Sequence, residues 1–85
     1  MNIMKYQVEL KPTAIKDLKN IPPNDVSKVI ARLESLTDDM KGPVKKLTNF
    51  TPEYRMRAGN YRALFEVEGD RIIVYRIKHR KDVYR

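Results

Sequence analysis

The segment Tyr54-Arg55-Met56-Arg57-Ala58-Gly59-Asn60-Tyr61-Arg62 sets three arginines at alternate positions around a turn dipeptide. In a strand, alternate side chains share one face. With Gly59-Asn60 as a two-residue hairpin loop, Ala58 pairs with Tyr61, Arg57 with Arg62, and Met56 with Ala63. Arg57 and Arg62 then repel across the pair, at a cost of roughly a few tenths of a kcal/mol. Arg55 stands one pleat step away on the same face. Cations gathered in this way are poor for folding and good for an anion, because arginine forks onto phosphate oxygens with fixed geometry. The second candidate is the tail, Arg76-Ile77-Lys78-His79-Arg80-Lys81-Asp82-Val83-Tyr84-Arg85, with five permanent positive charges, one histidine and one carboxylate. Histidine is the side chain suited to carrying protons near neutral pH. A tyrosine can stack on a base or orient a ribose hydroxyl.

The charge distribution points the same way. The chain carries a net +7, of which residues 1–53 supply +2 and residues 54–85 supply +5. Eight of the ten lysines precede residue 54, and seven of the eight arginines follow it. Lysines solubilise helix surfaces, whereas clustered arginines suit a polyanion, with nucleic acid ahead of a membrane surface. There is no cysteine and one histidine, which argues against disulfides and a conventional metal site; no metal and no cofactor are expected. No apolar run approaches a membrane span, and the N-terminus lacks a secretory h-region, so a soluble, cytoplasmic protein is expected.

The elements that must position these residues follow from periodicity. The 85 residues are read as a single domain over 1–85. Tyr6, Val8 and Leu10 alternate as in a half-buried strand. Pro12-Thr13 breaks it, with Thr13 as N-cap of a helix whose Ile15, Leu18 and Ile21 face inward. Pro22-Pro23 opens a second helix with Val26, Val29, Ile30, Leu33 and Leu36 on one face. Val44 to Leu47 fits either a short strand or a loop. The arginine hairpin follows, with Tyr54, Met56, Ala58, Tyr61, Ala63, Phe65 and Val67 on its apolar back. Glu68-Gly69-Asp70 turns into a last strand, Arg71 to Ile77. The expected fold is α+β, β-α-α-β-β-β, a small and mostly antiparallel sheet with both helices on one face.

The Tyr54–Arg62 motif, the strand after it, and His79-Arg80-Lys81-Asp82-Val83-Tyr84-Arg85 together resemble the signature of the RelE/ParE toxin superfamily, on its RelE side. The likeness spans nearly the whole chain. It implies a fold similar to microbial ribonucleases. It also implies ribosome-dependent cleavage of mRNA, by ribose 2′-hydroxyl attack on the adjacent phosphate, and neutralisation by a RelB-like, acidic, partly helical antitoxin. By the same resemblance Arg57, Arg62, His79 and Tyr84 are catalytic candidates, and Arg55, Lys78, Arg80, Lys81 and Arg85 bind RNA and phosphate. In RelE toxins the positions matching Arg55 and Arg57 are often lysines. Arginine keeps its proton, so here these two can stabilise charge but not act as a base. The proton work would fall to His79, Tyr84, Lys78 or Glu53, with His79 preferred. Two other functions fit the same fold: a ParE-like inhibitor of DNA gyrase, and a non-catalytic nucleic-acid-binding module.

Overall fold

The computed structural model describes residues 5–37, 44–47 and 51–82. Strand β1 (Gln7–Leu10) leads into helices α1 (Pro12–Lys19) and α2 (Pro23–Leu36), then strands β2 (Val44–Lys46), β3 (Tyr54–Ala58), β4 (Tyr61–Glu68) and β5 (Arg71–His79). The five strands form one sheet in the order β1-β5-β4-β3-β2. Only β1 runs parallel to its neighbour; the other pairings are antiparallel. The segment from Val44 is a strand and not a loop, paired to β3 along the edge of the sheet. No helix among the described residues is long and apolar enough to cross a membrane.

The core forms where the apolar stripe of α2 meets the apolar back of the hairpin. Val29, Leu33 and Leu36 pack with Met56, Phe65, Ile72 and Val74, all buried. Tyr54 and Phe65, opposite each other in the register, stack at 5.4 Å. Fully burying side chains of this size contributes about 1.5–3 kcal/mol each, the dominant favourable term in a chain this small.

Helix α1 differs from its expected setting. It begins at Pro12 with Lys11 as N-cap, and Thr13 lies inside the first turn. The Thr13 hydroxyl instead donates to the Tyr75 carbonyl at 2.6 Å. Ala14 is fully buried while Ile15 is 43% exposed, so the buried stripe runs Ala14, Leu18, Ile21. The cause is the edge of β5. Strand β1 pairs with it only as far as Val74, and α1 supplies side chains beyond that point. Besides Thr13 on Tyr75, the Asp17 carboxylate accepts the Ile77 N–H at 2.9 Å and the Arg76 guanidinium at 2.8 and 3.1 Å. A helix thus satisfies backbone groups that a strand would otherwise pair.

Strand β5 runs two residues past the expected Ile77 and carries a bulge. Phe65 pairs with Val74 but Leu64 pairs with Arg76, leaving Tyr75 extra. The extra residue reverses the parity of the rest of the strand. Without it Arg76 would continue the core face of Ile72 and Val74; with it Ile77 does, and Lys78 comes to the face of Arg62.

Candidate nucleic-acid interface

The hairpin register is the one the Gly59-Asn60 turn requires. Ala58 pairs with Tyr61, Arg57 with Arg62, and Met56 with Ala63. Gly59 takes φ +62°, a conformation that costs glycine little and other residues more. Met56, Ala58, Ala63 and Phe65 are buried on the helix side, which leaves Arg55, Arg57 and Arg62 on the opposite face.

These three arginines line one hollow of about 230 Å³, and a fourth cation lines it with them: Lys45, opposite Arg55 on the edge strand β2. Among the described residues, no carboxylate or imidazole contributes to its wall. The Arg62 Nη1 donates to the carbonyls of Tyr61 (3.0 Å) and Gly59 (3.3 Å), which ties the guanidinium to the turn. An ordered fork of this kind loses less entropy when it meets an anion. Lys45 is not among the sequence candidates. The signal for it is parity, since Val44 is half-buried and Lys45 points away from it, but that signal emerges only once the segment is known to pair with β3.

The tail residues divide between places. Lys78 is half-buried and directly opposite Arg62 in the register. His79 has the other parity, opposite Tyr61, and the two rings meet edge to face at 5.3 Å. Lys78 and His79 border a second, larger hollow of about 440 Å³, with Tyr61, Asn20, Asp17 and Asp82 among its walls. The Nδ1 of His79 accepts the Lys81 N–H at 3.2 Å, so the neutral ring carries its hydrogen on Nε2. Arg80 and Lys81 are exposed, and the Arg80 N–H donates to the Asn60 carbonyl at 2.8 Å, which pins the start of the tail to the hairpin loop. Tyr84 and Arg85 lie outside the described residues. Glu53 is exposed and faces Lys46 at 3.8 Å.

The structure therefore brings Arg55, Arg57 and Arg62 together, with Lys78 beside Arg62, and sets His79 in the neighbouring hollow. In the wall of that second hollow, the Asp17 carboxylate organises the end of β5. Burial alone would raise its pKa, yet the hydrogen bonds from Arg76 and the Ile77 N–H prevail and hold it below its ordinary value of 3.8. The Arg76 guanidinium is correspondingly raised, by its hydrogen bond to Asp17 first. Among the described residues, no three His, Asp, Glu or Cys side chains gather as a metal-binding group.

Comparison with known proteins gives consistent matches. A family model described as "ParE toxin of type II toxin-antitoxin system, parDE" matches residues 8–84. Toxin RelE3 of Methanocaldococcus jannaschii is 38% identical over 77 residues, covering 85% of this chain and 88% of that protein. Putative toxin RelE1 of the same organism is 34% identical over 88 residues, covering 96% and 98%. The structure of a RelB–RelE antitoxin–toxin complex from Methanococcus jannaschii aligns at a TM-score of 0.73 and 34% identity, over 88% of this chain and 93% of that one. An archaeal RelE–RelB complex from Pyrococcus horikoshii aligns at 0.75 and 23% identity, over 94% and 100%, and shows the common fold.

Proposed function

The chain belongs to the RelE/ParE family of toxins of type II toxin–antitoxin systems, and from that premise we propose that it is a ribosome-dependent endoribonuclease that cuts mRNA and arrests translation. The observation that carries this reading is the hollow lined by three arginines and one lysine on the sheet face opposite the helices. Its chemistry matches the scissile phosphate. Attack by a 2′-hydroxyl builds negative charge on phosphorus-bound oxygens, and fixed guanidinium groups stabilise that charge where it develops. Arg57 and Arg62, opposite each other, hold the phosphate; Arg55 and Lys78 extend the cationic surface along the strand. Arg80, Lys81 and Arg85 of the tail steer the backbone of the RNA, and Tyr84 completes the site by stacking or by orienting a ribose.

His79 is the base that the sequence favours, but its Nδ1 lone pair is engaged by Lys81 and Nε2 carries the hydrogen. In this arrangement it offers a donor, and we assign it to holding an oxygen of the RNA. Among the described residues the arginine hollow has no carboxylate or imidazole in its wall, so those residues supply charge and no base. Positioning of the 2′-hydroxyl and removal of its proton thus depend on the ribosome, which is why we propose cleavage there and not on free RNA. The partner that silences it is an acidic, RelB-like antitoxin, in keeping with the complexes formed by its relatives and with the net +7 charge.

A second reading is favoured by the description of the matching family, ParE toxin, whose resemblance implies gyrase as target. The test is a purified translation mixture, with mRNA ends characterised chemically. The nuclease reading expects 2′,3′-cyclic phosphate and 5′-hydroxyl ends only when ribosomes are present. Intact mRNA beside poisoned gyrase would support the second reading, and strong cutting of naked RNA would remove the ribosome dependence.

A further inference from the structure

Of the four described cations around the arginine hollow, three are guanidinium groups, a side chain that keeps its proton throughout the physiological range. A phosphodiester cleavage also needs a proton for the departing 5′-oxygen, and arginine is ill suited to give it. The fourth cation is different in kind. Lys45 stands opposite Arg55 on β2, shares its face, and is exposed at the rim. Among the described residues it has no ion-pair partner, whereas its neighbour Lys46, on the opposite parity, faces Glu53 at 3.8 Å and lies 5.8 Å over the Tyr54 ring. Lys78, the other amine near the arginines, opens onto the second hollow.

Resting on the nuclease reading, we propose that Lys45 is the general acid of the cleavage step. The 2′-oxygen forms a bond to phosphorus and its proton passes to a water or other acceptor held by the ribosome. The bond from phosphorus to the 5′-oxygen breaks, the electron pair staying on that oxygen, and the Lys45 ammonium gives its proton there. The products are a 2′,3′-cyclic phosphate and a 5′-hydroxyl; the neutral amine recovers its proton from solvent. Arg55, Arg57 and Arg62 carry the charge of the pentacoordinate phosphorus while this happens. Edge-strand placement suits the role, because an exposed, flexible stem can follow the leaving group outward.

The test compares two ribosome-bound mRNAs, one with a natural linkage and one with sulfur in place of the bridging 5′-oxygen at the cleaved position. A thiolate leaves without a proton. Lys45→Ala and Lys45→Arg are expected to slow the natural substrate by about 100-fold or more, the usual share of a general acid. Both are expected to cleave the sulfur substrate within a few-fold of the unsubstituted protein. Because Lys45 is exposed and Lys45→Arg keeps the charge, loss of folding is not the expected cause, and an unchanged circular dichroism spectrum confirms it. Equal slowing on both substrates would overturn the assignment and leave Lys45 as a phosphate contact. Rapid cleavage of the natural substrate by both variants would overturn it as well. If the unsubstituted protein cuts neither RNA, the nuclease reading itself fails, and the assignment with it.

Discussion

Arg57 and Arg62 face each other across β3 and β4, and nothing in the hydrophobic core asks for that pair. Their juxtaposition costs a little stability, and the proposed function gives it a purpose in holding an anion. Arg62 is expected to be the more demanding of the two, because its guanidinium is already tied to the hairpin turn. Replacing Arg62 by alanine should lower ribosome-dependent cleavage by roughly 10²–10³, the loss seen when one fixed donor to a developing anion is removed. Arg62→Lys should restore only part of it, since an ammonium cannot form the fork. Single-turnover cleavage rates check both. At His79 a smaller effect is expected. Alanine there removes one hydrogen bond, worth about 0.5–1.5 kcal/mol or up to roughly tenfold in rate. The pH–rate profile should keep its shape. Loss of one limb of that profile in the variant would mean that His79 takes the proton after all.

At the scale of elements, the hairpin was legible from sequence and the end of β5 was not. Gly59-Asn60 between two alternating runs admits one register, because a slip of one residue would turn Met56 and Phe65 to solvent. The run Ile72-Ile73-Val74-Tyr75 has no alternation from which to place a bulge, so the parity change that brings Lys78 beside Arg62 was hidden. The setting of α1 was hidden for a different reason. Ile15 looked inward on spacing alone, but Thr13 and Asp17 are drawn to unpaired backbone of β5, and that rotates the helix. Candidate residues close in sequence were found readily. Lys45 and Asp17, which join the picture through pairing and packing with distant segments, were missed.

The Asp17 junction makes a prediction at this scale. Its folded-state pKa is depressed, so its contribution is present above the unfolded value near 3.8 and disappears as pH falls through the lower folded value. Asp17→Asn should therefore destabilise the protein at neutral pH by about 1.5–3 kcal/mol, the range for hydrogen bonds to charged groups. The difference from the unsubstituted protein should shrink steadily below about pH 3.8. Urea denaturation at neutral pH and again well below that value measures it. A gap that stays constant across that range would remove the ionised carboxylate from the explanation. Core packing predicts a larger effect without pH dependence: Phe65→Ala, at a fully buried position, should cost about 3–5 kcal/mol.

For the whole molecule, residues 54–85 supply +5 of the net +7 charge, and Arg55, Arg57, Arg62 and Lys78 carry part of it on the sheet face opposite the helices. On the proposed function one surface links toxin, substrate and antitoxin: the face proposed to bind RNA is also the face an acidic partner would cover. The most direct measurement is induction of the protein in growing cells with transcriptome-wide mapping of mRNA 5′ ends. A ribosome-dependent nuclease gives new 5′-hydroxyl ends inside translated reading frames, in phase with codons, and none when Arg57 and Arg62 are both replaced by alanine. Growth arrest with intact mRNA, or identical cuts from the doubly substituted protein, would contradict the nuclease reading.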